Sequence, residues 1–175
     1  MKKSTFINHL NQLDEDDLRN ELTILYDRFP DVKKFYSMEL GKESDRERIF
    51  ANVKKDIVSK YATRSTRRPR RPRISKINKI LTQTSKISIF KEEMIDLYLF
   101  NCEQALSFML EYHYHSDPLH NSVVKSLDHA CKLSVEAQVI DEFRERMVAV
   151  IDQSFDAYEY LGHRAQDVYY RWLED

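Results

Sequence analysis

Two glycines in 175 residues, Gly41 and Gly162, set the strongest limit on what this chain can fold into. Tight hairpins and many turns need backbone at positive φ, which glycine adopts without steric cost. With two glycines and four prolines, Pro30, Pro69, Pro72 and Pro118, the chain lacks the punctuation that many short strands require. The expectation is an all-α fold. The same scarcity removes the glycine-rich loops that cradle nucleotide phosphates, so Walker and Rossmann chemistry is excluded. A chain of 175 residues suits one domain with its own core.

Apolar periodicity then predicts seven to nine helices in a bundle or irregular array. A short helix follows Ser4 and ends near Leu10. A second begins at Asp14, its N-cap, and carries Leu18, Leu22, Leu25 and Phe29 on one inner face until Pro30 stops it. A third spans Val32 to about Leu40 and ends at Gly41; Ser44 caps a fourth, with Phe50, Val53, Ile57 and Tyr61 inward. After an extended loop, the helical period resumes at Ile74, Ile77, Ile80 and Leu81 and breaks over Thr82 to Ser88. The stretch from about Ile89 to Tyr114 is apolar around most of its circumference, which places it in the middle of the bundle. Asp117 as N-cap with Pro118 at the first helical position opens a helix burying Leu119, Val123, Leu127, Ala130 and Cys131. The last face runs Ile140, Phe143, Met147, Val150, Ile151, Phe155, Tyr158 and Leu161. It continues through Ala165, Val168, Tyr169 and Trp172, with a break expected near Gly162. The chain divides into N-terminal helices (1–61), a basic loop (62–73) and C-terminal helices (74–175) within one domain.

The net charge of -1 conceals a segregation along the chain. Residues 1–53 carry a net of -2; residues 54–91 hold thirteen Lys and Arg against the single acid Asp56, a net of +12; residues 92–175 carry -11. The basic maximum is the loop Arg64, Arg67, Arg68, Arg70, Arg71 and Arg73, continued by Lys76 and Lys79. Pro69 and Pro72 hold this loop extended and forbid helix at the residues before them, so successive guanidinium forks splay outwards. Such forks suit phosphate oxygens. If all six loop arginines met DNA phosphates, affinity would fall with salt at a slope of roughly -5 in log units. Three destinations for the charge stay open: DNA or RNA, an acidic protein, or solvent and the acidic C-terminal region of the same molecule. Regions of opposite sign also allow a weak, salt-sensitive homo-oligomer.

The block Leu22, Leu25-Tyr26, Phe29, Val32-Lys33 and Phe35-Tyr36, the run Arg67-Arg68-Pro69-Arg70-Arg71-Pro72-Arg73, and the ending Tyr169-Tyr170-Arg171-Trp172 carry a resemblance. They resemble a family of small bacterial helical proteins classed only as a domain of unknown function. The resemblance implies a bacterial cytoplasmic origin and an all-helical fold, and it implies no activity and no catalytic residues.

Other chemistry is weakly signalled. His113, His115 and His120 gather around a helix end with Glu111 nearby, and this set is the one candidate for a metal-dependent enzyme. His113 and His115, two apart, face different directions on a helix, and no Glu-x-x-His pair is repeated, so capping of the helix end is the expected role. Cys102 and Cys131 fall on apolar faces and read as reduced core thiols, not nucleophiles or a disulfide framework. The tyrosines Tyr112, Tyr114, Tyr158, Tyr160, Tyr169 and Tyr170 are too many to bury together, so some are expected to line a groove or interface. No secretory leader opens the chain and no apolar run nears the roughly 18 residues that span a bilayer, so no membrane contact and a cytoplasmic location are expected. The reading that follows is a binding or adaptor protein without cofactor or metal, not an enzyme, with Arg64, Arg67, Arg68, Arg70, Arg71, Arg73, Lys76 and Lys79 as its contact surface.

Overall fold

The computed structural model describes residues 1–63 and 69–173. Among these residues there are nine helices and no strand, packed as one bundle. They are α1 (Lys3–Leu10), α2 (Glu15–Arg28), α3 (Pro30–Glu39), α4 (Glu43–Tyr61), α5 (Ile74–Ile87), α6 (Lys91–Tyr112), α7 (Asp117–Ala137), α8 (Ile140–Ala157) and α9 (Glu159–Leu173). No helix among the described residues is long and apolar enough to cross a membrane.

A chain with two glycines has to turn by other means. Single extended residues do so at Phe29, between α2 and α3, and at Tyr158, between α8 and α9. Non-glycine residues in the left-handed region do so at His113 (φ 47°) and Gln138 (φ 60°), which end α6 and α7. Left-handed backbone costs such residues about 1–2 kcal/mol each, so packing on either side of the turn must offset it. The break in the final apolar face lies at Tyr158, not near Gly162. Gly162 is buried inside α9, where a Cβ would stand 2.3 Å from the Phe155 ring of α8. Its role is close approach of two helices, not a turn.

The expected centre is in place. α6 buries Met94, Ile95, Leu97, Leu99, Cys102, Ala105, Leu106, Phe108 and Met109, and it contacts α4, α5, α7 and α8. Apolar side chains on nearly every side of one helix can be covered only by neighbours on every side. α7 and α9 form the other half of the bundle, through Leu119, Val123 and Leu127 and through Leu161, Ala165 and Val168. A polar knot fixes the register of three helices. Asn101 is fully buried on α6, accepts from the Tyr61 hydroxyl of α4 at 2.9 Å, and donates to Ser122 (3.2 Å) and Ser126 (2.9 Å) of α7. A buried amide tolerates few alternative registers because every other alignment strands it without partners.

Several local expectations are corrected. α4 starts at Glu43 after Lys42, so Ser44 is not its cap, and α7 is preceded by Ser116, which puts Asp117 inside the helix. The break expected over Thr82 to Ser88 is shorter and falls at 88–90, because α5 continues to Ile87: Thr84 is buried and returns its hydroxyl to the Ile80 carbonyl at 2.9 Å. Pro30 does end α2 with Phe29, but it does so as the first residue of α3. The largest departure is the α2 face. Leu22 is 50% exposed and Phe29 52% exposed, and neither α1 nor α2 contains a buried residue. The periodicity made a helix there, but among the described residues α3 covers its apolar face only in part, leaving Leu18 and Leu25 half-buried.

Candidate nucleic-acid interface

The basic segment leaves α4 at Ala62 and returns at Arg73. Arg64, Arg67 and Arg68 lie outside the described residues. The returning stretch is tied at two points: the Arg70 amide donates to the Thr63 hydroxyl at 2.9 Å, and the Arg73 amide donates to the Lys60 carbonyl at 3.1 Å. These bonds use backbone groups and leave the guanidinium heads uncommitted. Arg73 then precedes α5, whose first turn contains no acid and receives no side-chain cap. Uncapped amides at a helix start add positive potential to a segment already cationic.

Arg70, Arg71, Arg73, Lys76 and Lys79 are all exposed, and none forms an ion pair with a described carboxylate. Cations elsewhere on the bundle behave otherwise. Lys54 reaches Asp96 at 2.6 Å, and Arg46 reaches Glu93 at 2.8 Å. Arg146 spans Asp96 and Glu103, each at 2.8 Å. Acids of the C-terminal half therefore neutralise cations at the foot of α4 and on α8. They do not reach the loop cations. Folding of the basic loop onto the acidic region was one of the destinations left open above; no described carboxylate of that region pairs with Arg70, Arg71 or Arg73.

Arg71, Arg73 and Lys76 line an open cleft of about 510 Å³ together with Pro72, Ile74 and Ser75. Its opposite wall is the α6–α7 connection, which contributes Tyr114, Ser116 and Pro118. The left-handed turn at His113 carries the chain back so that Tyr114 lies edge-to-face on Phe108, at 5.8 Å between ring centroids. Phe108 in turn packs on Tyr61 and Tyr112, so Tyr114 rests on an aromatic cluster anchored in the core. The excess of tyrosines pointed to a groove, but nothing in the spacing tied Tyr114 to the arginine loop some forty residues earlier. Arg70 and Lys79 do not line the cleft.

The histidine cluster resolves into a pair. His115 Nδ1 and His120 Nε2 lie 3.4 Å apart, and Tyr158 stacks on His120 with ring centroids 5.4 Å apart. Burial first, then His115 and Arg164, hold His120 below the usual histidine range, with Asp117 opposing. His113 closes α6 with its backbone. Among the described residues no three His, Cys, Asp or Glu side chains are grouped to hold a metal ion. Both cysteines are free and buried. Burial pushes both thiols up, Cys131 to about 12, which leaves them protonated and unreactive.

No curated protein and no solved structure matches the chain. The basic run and the aromatic-rich helices belong instead to a pattern that extends over residues 1–169, and by that match the chain is a member of the family of unknown function DUF6155.

Proposed function

We propose that this protein is a binding protein, not an enzyme, and that its ligand is nucleic acid, held through phosphate contacts by Arg70, Arg71, Arg73, Lys76 and Lys79. One observation carries the reading: these five cations are exposed and unpaired with any described carboxylate, while Arg46, Lys54 and Arg146, on other parts of the bundle, are neutralised by acids of the C-terminal half. Held side by side with no counter-charge, like charges repel, and an anionic ligand relieves that repulsion. Arginine supplies a permanent, planar fork for phosphate oxygens, and the Arg70 and Arg73 amides, tied to the Thr63 hydroxyl and the Lys60 carbonyl, fix the backbone from which exposed forks extend. The buried, protonated thiols support the non-enzymatic part of the reading.

The test is fluorescence anisotropy with labelled oligonucleotides, at low and moderate salt, for the wild type and for a variant carrying Arg70→Glu, Arg71→Glu and Arg73→Glu. Five phosphate contacts give a slope of roughly -3.5 to -4.5 in log units, so a fourfold rise in salt weakens binding roughly 100- to 500-fold. The variant should lose binding and keep its helical circular dichroism. Binding that ignores salt, or that survives the triple substitution, would refute the proposal. Failure to bind any oligonucleotide, beside capture of an acidic protein or of a second copy of this chain that the variant abolishes, would assign the same cations to a protein ligand.

A further inference from the structure

We infer that the cleft takes single-stranded nucleic acid, with one base stacked on Tyr114 and the flanking phosphates on Arg71, Arg73 and Lys76. The inference rests on the proposal that the basic segment binds nucleic acid, and it adds which form is bound and how.

The observation behind it is the meeting of two remote stretches of chain in one open cleft of about 510 Å³. One wall is cationic. The other offers an aromatic ring, the proline ring of Pro118 and the hydroxyl of Ser116, which makes no capping bond to α7. Among the described residues no carboxylate lines the cleft; Asp117 is exposed nearby but is not part of the lining. A duplex shows phosphates at its rim and keeps the faces of its bases stacked inside, so it could use the cationic wall and leave the aromatic wall idle. A single strand can turn a base out of line and lay its face on a side-chain ring while its backbone follows the cations. Stacking of this kind tolerates any sequence, because every base has a π face.

Tyr114 suits the role because its position is set in advance. It is half-buried and packed edge-to-face on Phe108, whose own ring is buried, so little side-chain freedom remains to be lost when a base arrives. A surface tyrosine without such support would have to be ordered by its ligand.

The experiment compares an unstructured labelled oligonucleotide of about ten nucleotides, as DNA and as RNA, with a duplex of equal length. The proteins are the wild type, Tyr114→Phe and Tyr114→Leu. The wild type and Tyr114→Phe should favour the single strand, and Tyr114→Leu should bind it roughly 5- to 150-fold more weakly while its duplex binding stays unchanged. A bromouracil-substituted single strand should crosslink to Tyr114 on irradiation, a readout that needs no variant to fold. Equal affinity for the two forms, an equal loss on both in Tyr114→Leu, or crosslinking only at other residues would overturn the inference while leaving the phosphate-binding proposal standing. Absence of binding to either form would overturn both.

Discussion

Replacing Asn101 by alanine removes the buried amide that joins α4, α6 and α7 at the centre of the bundle. The Tyr61 hydroxyl then loses its Asn101 acceptor inside the core, where burial above all else already holds its phenol far above the usual range and the Ser122 hydroxyl only partly opposes it. A buried hydroxyl left unpaired costs about 1–3 kcal/mol. Ser122 and Ser126 can turn to carbonyls of their own helix, so they add little. The small cavity left by the amide adds about 1 kcal/mol. The total is about 2–4 kcal/mol, or on the order of 4–16 °C in Tm for a chain of this length. Tyr61→Phe alone strands the other end of the bond, and the double variant strands neither. Urea unfolding followed by circular dichroism on both singles and the double should therefore show a coupling of at least about 0.5 kcal/mol, the double costing less than the sum. Additive costs, or a loss below about 1 kcal/mol for Asn101→Ala, would refute the idea that the amide and the phenol are paired.

Gly162→Ala replaces a poor helix former by the best one, yet it should destabilise by about 1–3 kcal/mol, because the new methyl meets the Phe155 ring at 2.3 Å. Thermal melts of Gly162→Ala and of the Gly162→Ala, Phe155→Leu pair check this; the pair should recover part of the loss. Asp96 gives the fold an acid-sensitive point. Burial works against its ionisation, but hydrogen bonds from Lys54 and Arg146, with their charges, prevail and hold the carboxyl below its ordinary 3.8. A carboxyl with a lowered folded pKa adds stability that is fully present above 3.8 and is lost as pH falls through the lower folded value. Urea midpoints measured against pH should fall over that window in the wild type and change less in Asp96→Asn.

The helical class of this protein was legible in the chain itself, because two glycines leave few ways to build turns and the apolar residues recur at helical spacing through most of the sequence. The burial of Ile74, Ile77 and Leu81, the central place of α6 and the unreactive cysteines follow from periodicity that local sequence carries. Which faces find a partner is a different matter. Leu22 and Phe29 share the period of a core helix and yet stand exposed, since a repeat of apolar residues specifies a face and not what packs on it. Thr82 to Ser88 has polar residues and weak helix formers, but α5 persists as far as Ile87 because Thr84 is covered by its neighbours and satisfies its hydroxyl within the helix. The position of the last break, at Tyr158 and not near Gly162, was decided by the close contact of α8 and α9.

The candidate site divides along the same line. Arginine and proline in one short run announce an extended cationic segment wherever it lies, because permanent charge without nearby acids cannot be buried and proline forbids helix before it. Whether acids elsewhere would neutralise that segment is a question of distance in space, and only the folded chain brings Asp96, Glu93 and Glu103 to Lys54, Arg46 and Arg146 while leaving Arg71 and Arg73 without an ion pair to any described carboxylate. The meeting of Tyr114 with those arginines, and of His115 with His120, depends on a left-handed turn at His113 that no spacing rule announces. Sequence determined the helices and the charge of the loop, since both arise from neighbours along the chain; tertiary structure decided which charges were cancelled and which ring faced the loop, since both arise from neighbours across space.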